Sequence, residues 1–142
     1  MRTVVVSVIG IQRDQAGEEN RLELMTAGRH YQKNNIDYIR YDESAISGLE
    51  GTHTTLKIME HCLVLLRTGT VEQKMVFQQG IVEESLYHTP FGDFQLSVRT
   101  GELKIHLNEG CGKIQVDYEL MLDGQWQSAN QLVIEIREDR KS

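Results

Sequence analysis

Apolar side chains recur at every second position over most of this chain. Ile114, Val116, Tyr118, Leu120 and Leu122 alternate with Gln115, Asp117, Glu119 and Met121. The same beat returns at Phe94-Leu96-Val98, at Leu132-Ile134-Ile136 and at Val4-Val6-Val8. Successive side chains on a strand point to opposite faces, so this alternation predicts strands with one buried face and one wet face. Turn residues cut the pattern at short intervals. A polar stretch over residues 14–20 ends the first strand, and Asn34-Asn35 separates strands predicted over 22–32 and 36–43. Paired asparagines tolerate the positive φ of a tight hairpin turn, and Asp123-Gly124 gives the same signal before a strand over 126–138. Between them the pattern predicts strands over 54–60, 62–68, 71–78, 82–89, 94–107 (interrupted near Gly101) and 114–122. No segment carries a helical period; the nearest, residues 70–80, has Val76-Phe77 and flanking glycines that suit a strand.

Eight to ten strands on short connections point to an all-β sandwich or barrel. An open sheet of that width leaves two edges free to pair wrongly, whereas closure removes them. Consecutive hairpins make a single closed antiparallel up-and-down barrel over residues 1–142 the simplest architecture. Such a barrel encloses either a packed core or one small ligand. The middle strands add a complication, because they are apolar on both faces: Leu63 and Leu65 oppose Val64 and Leu66. Both faces then need cover, from terminal strands, a second subunit or an enclosed ligand.

With 142 residues the chain is long enough for one real core, and its 25% charged and 39% hydrophobic residues are ordinary for a globular protein. A net charge of -6 argues against a broad nucleic-acid or anionic-membrane surface. The basic residues Arg137, Arg140 and Lys141 read as a solvated end. The apolar run over residues 4–11 follows Met1-Arg2-Thr3 but meets no small-residue cleavage site before Arg13 and Asp14. It is also too short for a membrane span, so a cytoplasmic protein with free thiols at Cys62 and Cys111 is expected.

Candidate chemistry is sparse. His53, His61, Cys62, His88, His106 and Cys111 match no metal-ligand spacing, and adjacent His61 and Cys62 diverge on a strand. The pairs Glu18-Glu19 and Glu83-Glu84 do not converge as catalytic carboxylates would. Gly110-Cys111-Gly112-Lys113 lacks the length and following helix of a phosphate loop. No catalytic residue, metal or cofactor is predicted, and an enzyme is not expected.

The run Tyr38-Ile39-Arg40-Tyr41-Asp42-Glu43, followed by Gly51-Thr52-His53-Thr54-Thr55-Leu56-Lys57-Ile58, resembles the YwiB-like family of bacterial proteins. So do Leu65-Leu66-Arg67-Thr68-Gly69, Met75-Val76-Phe77, Tyr87-His88-Thr89-Pro90-Phe91-Gly92 and Tyr118-Glu119-Leu120. The resemblance covers most of the chain and implies a lipocalin-like (calycin) closed barrel, without an assigned activity. It also picks out polar positions in otherwise apolar strands: Tyr41, Glu43, Thr55, Lys57, Arg67, Tyr87, Thr89 and Thr100. If their faces converge inside the barrel, Lys57 and Arg67 could grip an anionic head group, with Tyr41 and Tyr87 hydrogen-bonding it. The alternatives are an internal Glu43–Lys57–Arg67 network or a solvated outer face. Two functions follow: a binding barrel for a small, partly apolar anion, or an assembly module that dimerises through the doubly apolar middle strands.

Overall fold

The structure, a computed structural model, describes residues 2–139; Arg140 and Lys141 of the basic end lie outside the described residues. Ten antiparallel strands form one sheet: β1 (Arg2–Asp14), β2 (Glu19–Lys33), β3 (Ile36–Asp42), β4 (Thr52–Ile58), β5 (Leu63–Gly69), β6 (Gln73–Phe77), β7 (Val82–Thr89), β8 (Gly92–Asn108), β9 (Cys111–Leu122) and β10 (Gln125–Glu138). The strand order is β6-β5-β4-β3-β2-β1-β10-β9-β8-β7, so every ladder joins sequence neighbours except that of β1 with β10. The expected up-and-down barrel is therefore present, and it is nearly closed. Its seam lies between β6 and β7, where Glu72 and His88 exchange two backbone hydrogen bonds of 2.9 and 2.8 Å. The Ser85 hydroxyl adds a third tie, donating to the Lys74 carbonyl at 2.6 Å.

The turn chemistry is as the sequence demands. Asn34 and Asn35 take φ of 54° and 64°, and Asp123 and Gly124 take 50° and 80°, the left-handed pair of a two-residue hairpin. The interruption expected near Gly101 is a bulge: Thr100 pairs with Tyr118, yet Glu102 pairs with Asp117.

Five connections (β1–β2, β3–β4, β5–β6, β7–β8 and β9–β10) lie at what we term the upper end, and the other four at the lower end. Inward side chains fill the lower half. Val4, Val6, Ile39, Leu56, Leu63 and Phe77 are fully buried there, together with Ile114 and Ile134 from the far wall. The apolar outer residues of β5 are partly covered within the sheet. Val64 stands between Lys57 of β4 and Val76 of β6 and is buried. The same outer row continues through Tyr38 to Tyr31, whose rings stack at 4.8 Å.

The seam carries a titratable contact. His88 Nδ1 lies 2.8 Å from Asp93 Oδ1, and that hydrogen bond, reinforced by the carboxylate's charge, raises the His88 pKa. A raised folded-state pKa means the contact stabilises the barrel below the ordinary histidine value. Its contribution fades as pH rises through the folded-state pKa. In an NMR titration the His88 midpoint is expected above that of an exposed histidine, and Asp93→Asn should bring it back down; an unchanged midpoint in that variant would assign the shift elsewhere.

Candidate functional site

Polar side chains collect on the inner face toward the upper end. Tyr41 of β3 pairs with Thr54 of β4, Thr54 with Arg67 of β5, and Arg67 with Gln73 of β6, so four strands set four polar side chains in one row. Glu43, two residues beyond Tyr41, turns to the same face and is buried. A second row faces it from the other wall: Gln12, Asn130, Tyr118 and Thr100 are successive partners across β1, β10, β9 and β8.

Between the rows lies a cavity of about 350 Å³. Tyr41, Glu43 and Arg67 line one side, and Gln12, Tyr118 and Asn130 the other. Val8, Leu24 and Leu132 make its apolar floor, and Ser47 and Leu49 of the β3–β4 connection reach its mouth. Gly10 also lines it, and a Cβ built there meets nothing within 4 Å. The cavity thus exists partly because an inward position of β1 has no side chain. Two further hollows are grooves on the solvated outer face, one of about 770 Å³ beside Arg29, Arg40 and His53, the other of about 440 Å³ beside Arg99 and Asp117.

The Thr54 hydroxyl donates to Glu43 Oε2 at 2.7 Å, and Arg67 Nη1 donates to Gln73 Oε1 at 2.5 Å. Arg67 Nε approaches Glu43 Oε2 only to 3.9 Å and, among the described residues, has no hydrogen-bond partner although it is buried. The two charges attract but do not close on each other. Burial pushes the Tyr41 phenol well above its ordinary range; nearby Glu43 pushes the same way, while Arg67 and Thr54 oppose it. Burial likewise raises Tyr118, against the pull of Arg67. Both phenols therefore stay protonated and able to donate. Tyr118 is held by Phe77, whose ring meets it edge-on at 4.8 Å.

Of the residues expected to converge, Tyr41, Glu43 and Arg67 do. Thr55 and Lys57 do not: Leu56 and Ile58 take the inner face of β4, which turns their neighbours outward. Lys57 stands in the outer row, so the three-residue internal network reduces to Glu43 and Arg67. Tyr87 packs against the core from β7, one residue in from the seam bridge, as Gln73 is on β6. Thr89 shapes the β7–β8 turn, donating to the Gly92 carbonyl at 2.8 Å. Thr100 is buried, and its hydroxyl has no hydrogen-bond partner among the described residues. Thr54, Gln73, Gln12, Asn130 and Tyr118 complete the site and were not singled out. For Thr54 the signal was available, because Leu56 and Ile58 already select its face.

A second polar cluster sits at the lower end. His30 Nδ1 accepts from Arg2 Nε at 3.3 Å, its Nε2 lies 2.8 Å from Asp37 Oδ1, and Arg2 Nη2 reaches Cys111 Sγ at 3.6 Å. Both imidazole nitrogens are engaged, so His30 offers no free base to the thiol; the cluster ties β1, β2, β3 and β9 together.

A family model described as a domain of unknown function, DUF1934, matches residues 6–134. The chain belongs to the DUF1934 family. A relative from Bacillus subtilis (strain 168), described as the uncharacterized beta-barrel protein YwiB, is 25% identical over 118 residues, covering 83% of this chain and 82% of its own. The crystal structure of the ywiB protein from Bacillus subtilis superposes with a TM-score of 0.86 at 24% identity, over 97% of this chain and 92% of that one. This DUF1934 chain therefore shares the ten-stranded barrel with an experimentally determined fold.

Proposed function

We propose that this barrel binds one small, partly apolar molecule in its upper half, with Arg67 engaging an acidic group on the ligand. The supporting observation is the cavity of about 350 Å³ that brings a half-buried arginine, whose buried Nε has no hydrogen-bond partner among the described residues, and two protonated tyrosines above an apolar floor. Buried charge and unpaired donors are costly unless something completes them. A ligand's oxygen atoms at Arg67, Tyr41 and Tyr118 would do so, while its apolar part displaces water from Val8, Leu24 and Leu132. On this reading the chain works as lipocalin-like barrels do, with a closed sheet around a single guest. Free Cys62 and Cys111 suit a reducing cytoplasm as its workplace.

Gly10→Leu provides the test. Its side chain grows from an inward position into open space, so the variant should keep or exceed the wild-type melting temperature while losing the guest. Native mass spectrometry of wild-type protein is expected to show an added mass that vanishes on denaturation and is missing from Gly10→Leu. Arg67→Met should lose it as well. Identical bare masses for wild type and Gly10→Leu, before and after exposure to a small-molecule extract, would end the proposal.

A further inference from the structure

We infer that the guest is a zwitterion, a small molecule carrying an anionic and a cationic group on an apolar body; this rests on the binding reading above. The first argument is the unfinished bonding of both charges in the cavity. Thr54 holds only one oxygen, Oε2, of Glu43, which lines the cavity. Gln73 holds Nη1 of Arg67, and the arginine's buried Nε has no hydrogen-bond partner among the described residues. Thr54 and Gln73 each take one of the two groups, while the 3.9 Å between them is too long for a hydrogen bond. One cavity thus presents an acceptor for a cation beside a donor for an anion. A simple acid would satisfy Arg67 but bring a second negative charge next to Glu43, where the protein walls screen it less than bulk water would. A ligand with both signs satisfies each group and leaves the enclosed charge at zero.

The mouth supplies an independent argument. The five connections at the upper end carry Glu18, Glu50, Glu72 and Asp123 in addition to Glu43, and contain no lysine or arginine. Asp14 and Asp93 stand at adjoining strand ends. Of the nearest arginines, Arg21 bonds Glu23 at 2.7 Å, and Arg13 stands opposite Glu19 in the β1–β2 register. A rim of one sign lowers the local concentration of like-charged solutes and slows their entry. A net anion meets that barrier, whereas a molecule with no net charge does not.

The experiment is calorimetric titration of refolded, guest-free protein with three probes of nearly the same apolar body. These are L-leucine, isocaproate (its carboxylate without the amine) and isoamylamine (its amine without the carboxylate). Leucine is expected to bind at least about tenfold more tightly than either one-charge probe. Glu43→Gln should reverse the preference for leucine over isocaproate, because the penalty on a plain acid disappears with the Glu43 charge. Wild-type comparison alone decides the matter if that variant folds poorly. Equal or tighter binding of isocaproate to the wild type overturns the zwitterion and leaves the binding barrel intact. No heat from any probe also overturns it, and the binding reading then stands or falls separately on the native masses of wild type and Gly10→Leu.

Discussion

Replacing Gly112 by alanine is expected to leave the protein largely unfolded, with no cooperative melt by circular dichroism. Gly112, the second residue of β9, pairs with Leu107 and takes φ of +149°, in a region that side-chain-bearing residues rarely adopt. A Cβ there would lie 1.9 Å from the His106 carbonyl oxygen and 3.0 Å from its carbon. Those are backbone atoms of β8, locked in the ladder through the His106–Lys113 pair, so no side chain can swing aside. Conformational strain alone costs roughly 1–3 kcal/mol. The overlap adds to that, against a total stability of about 5–15 kcal/mol for a domain. Gly10→Ala is the matched control, since nothing lies within 4 Å of its new methyl group. Comparable melts for the two variants would mean that the β8–β9 hairpin yields more easily than its register implies. The glycines of Gly110-Cys111-Gly112-Lys113 thus serve close backbone approach: Gly110 takes the positive φ of the turn and lies directly against the His30 ring.

Phe77→Ala is expected to remove about 3–5 kcal/mol, the usual cost of deleting a fully buried aromatic ring. Phe77 is 0% exposed on β6, where its ring both fills the lower core and meets Tyr118 edge-on. The loss should appear in urea as a lower midpoint at an unchanged slope, because the surface exposed on unfolding barely changes. A second effect follows from the geometry. Tyr118 lines the cavity, so a variant that still folds should hold its guest more weakly than wild type. A midpoint within about 1 kcal/mol of wild type would show that neighbouring side chains collapse into the space.

Alternation along the chain was enough to read the barrel, because a two-residue period leaves little choice of element and Asn34-Asn35 and Asp123-Gly124 set their turns locally. The interior site was only half legible. Parity on one strand places Tyr41 with Glu43, and Leu65 with Arg67, but says nothing about which residues of the next strand stand beside them. That depends on the register across β3, β4 and β5, fixed partly by the long 43–51 connection, whose length gives no register by itself. The charge of Lys57 suggests a binding role if its face turns inward. The apolar pair Leu56 and Ile58 outweighs that suggestion, since burying two aliphatic side chains is worth more than any surface ion pair. Tyr118 was hidden for the opposite reason: it lies in the most regular alternating strand and reads as ordinary core.

The pairing of β1 with β10 sets an order of events during synthesis. β1 can find β2 as soon as that hairpin emerges, but its other edge waits for residues 125–138, which leave the ribosome last of the ten strands. Until β10 emerges, an apolar strand containing Val4, Val6 and Val8 has one row of backbone donors and acceptors unclaimed. Barrel closure therefore waits for β10, and until then the nascent β1 edge is where neighbouring unfinished chains would meet.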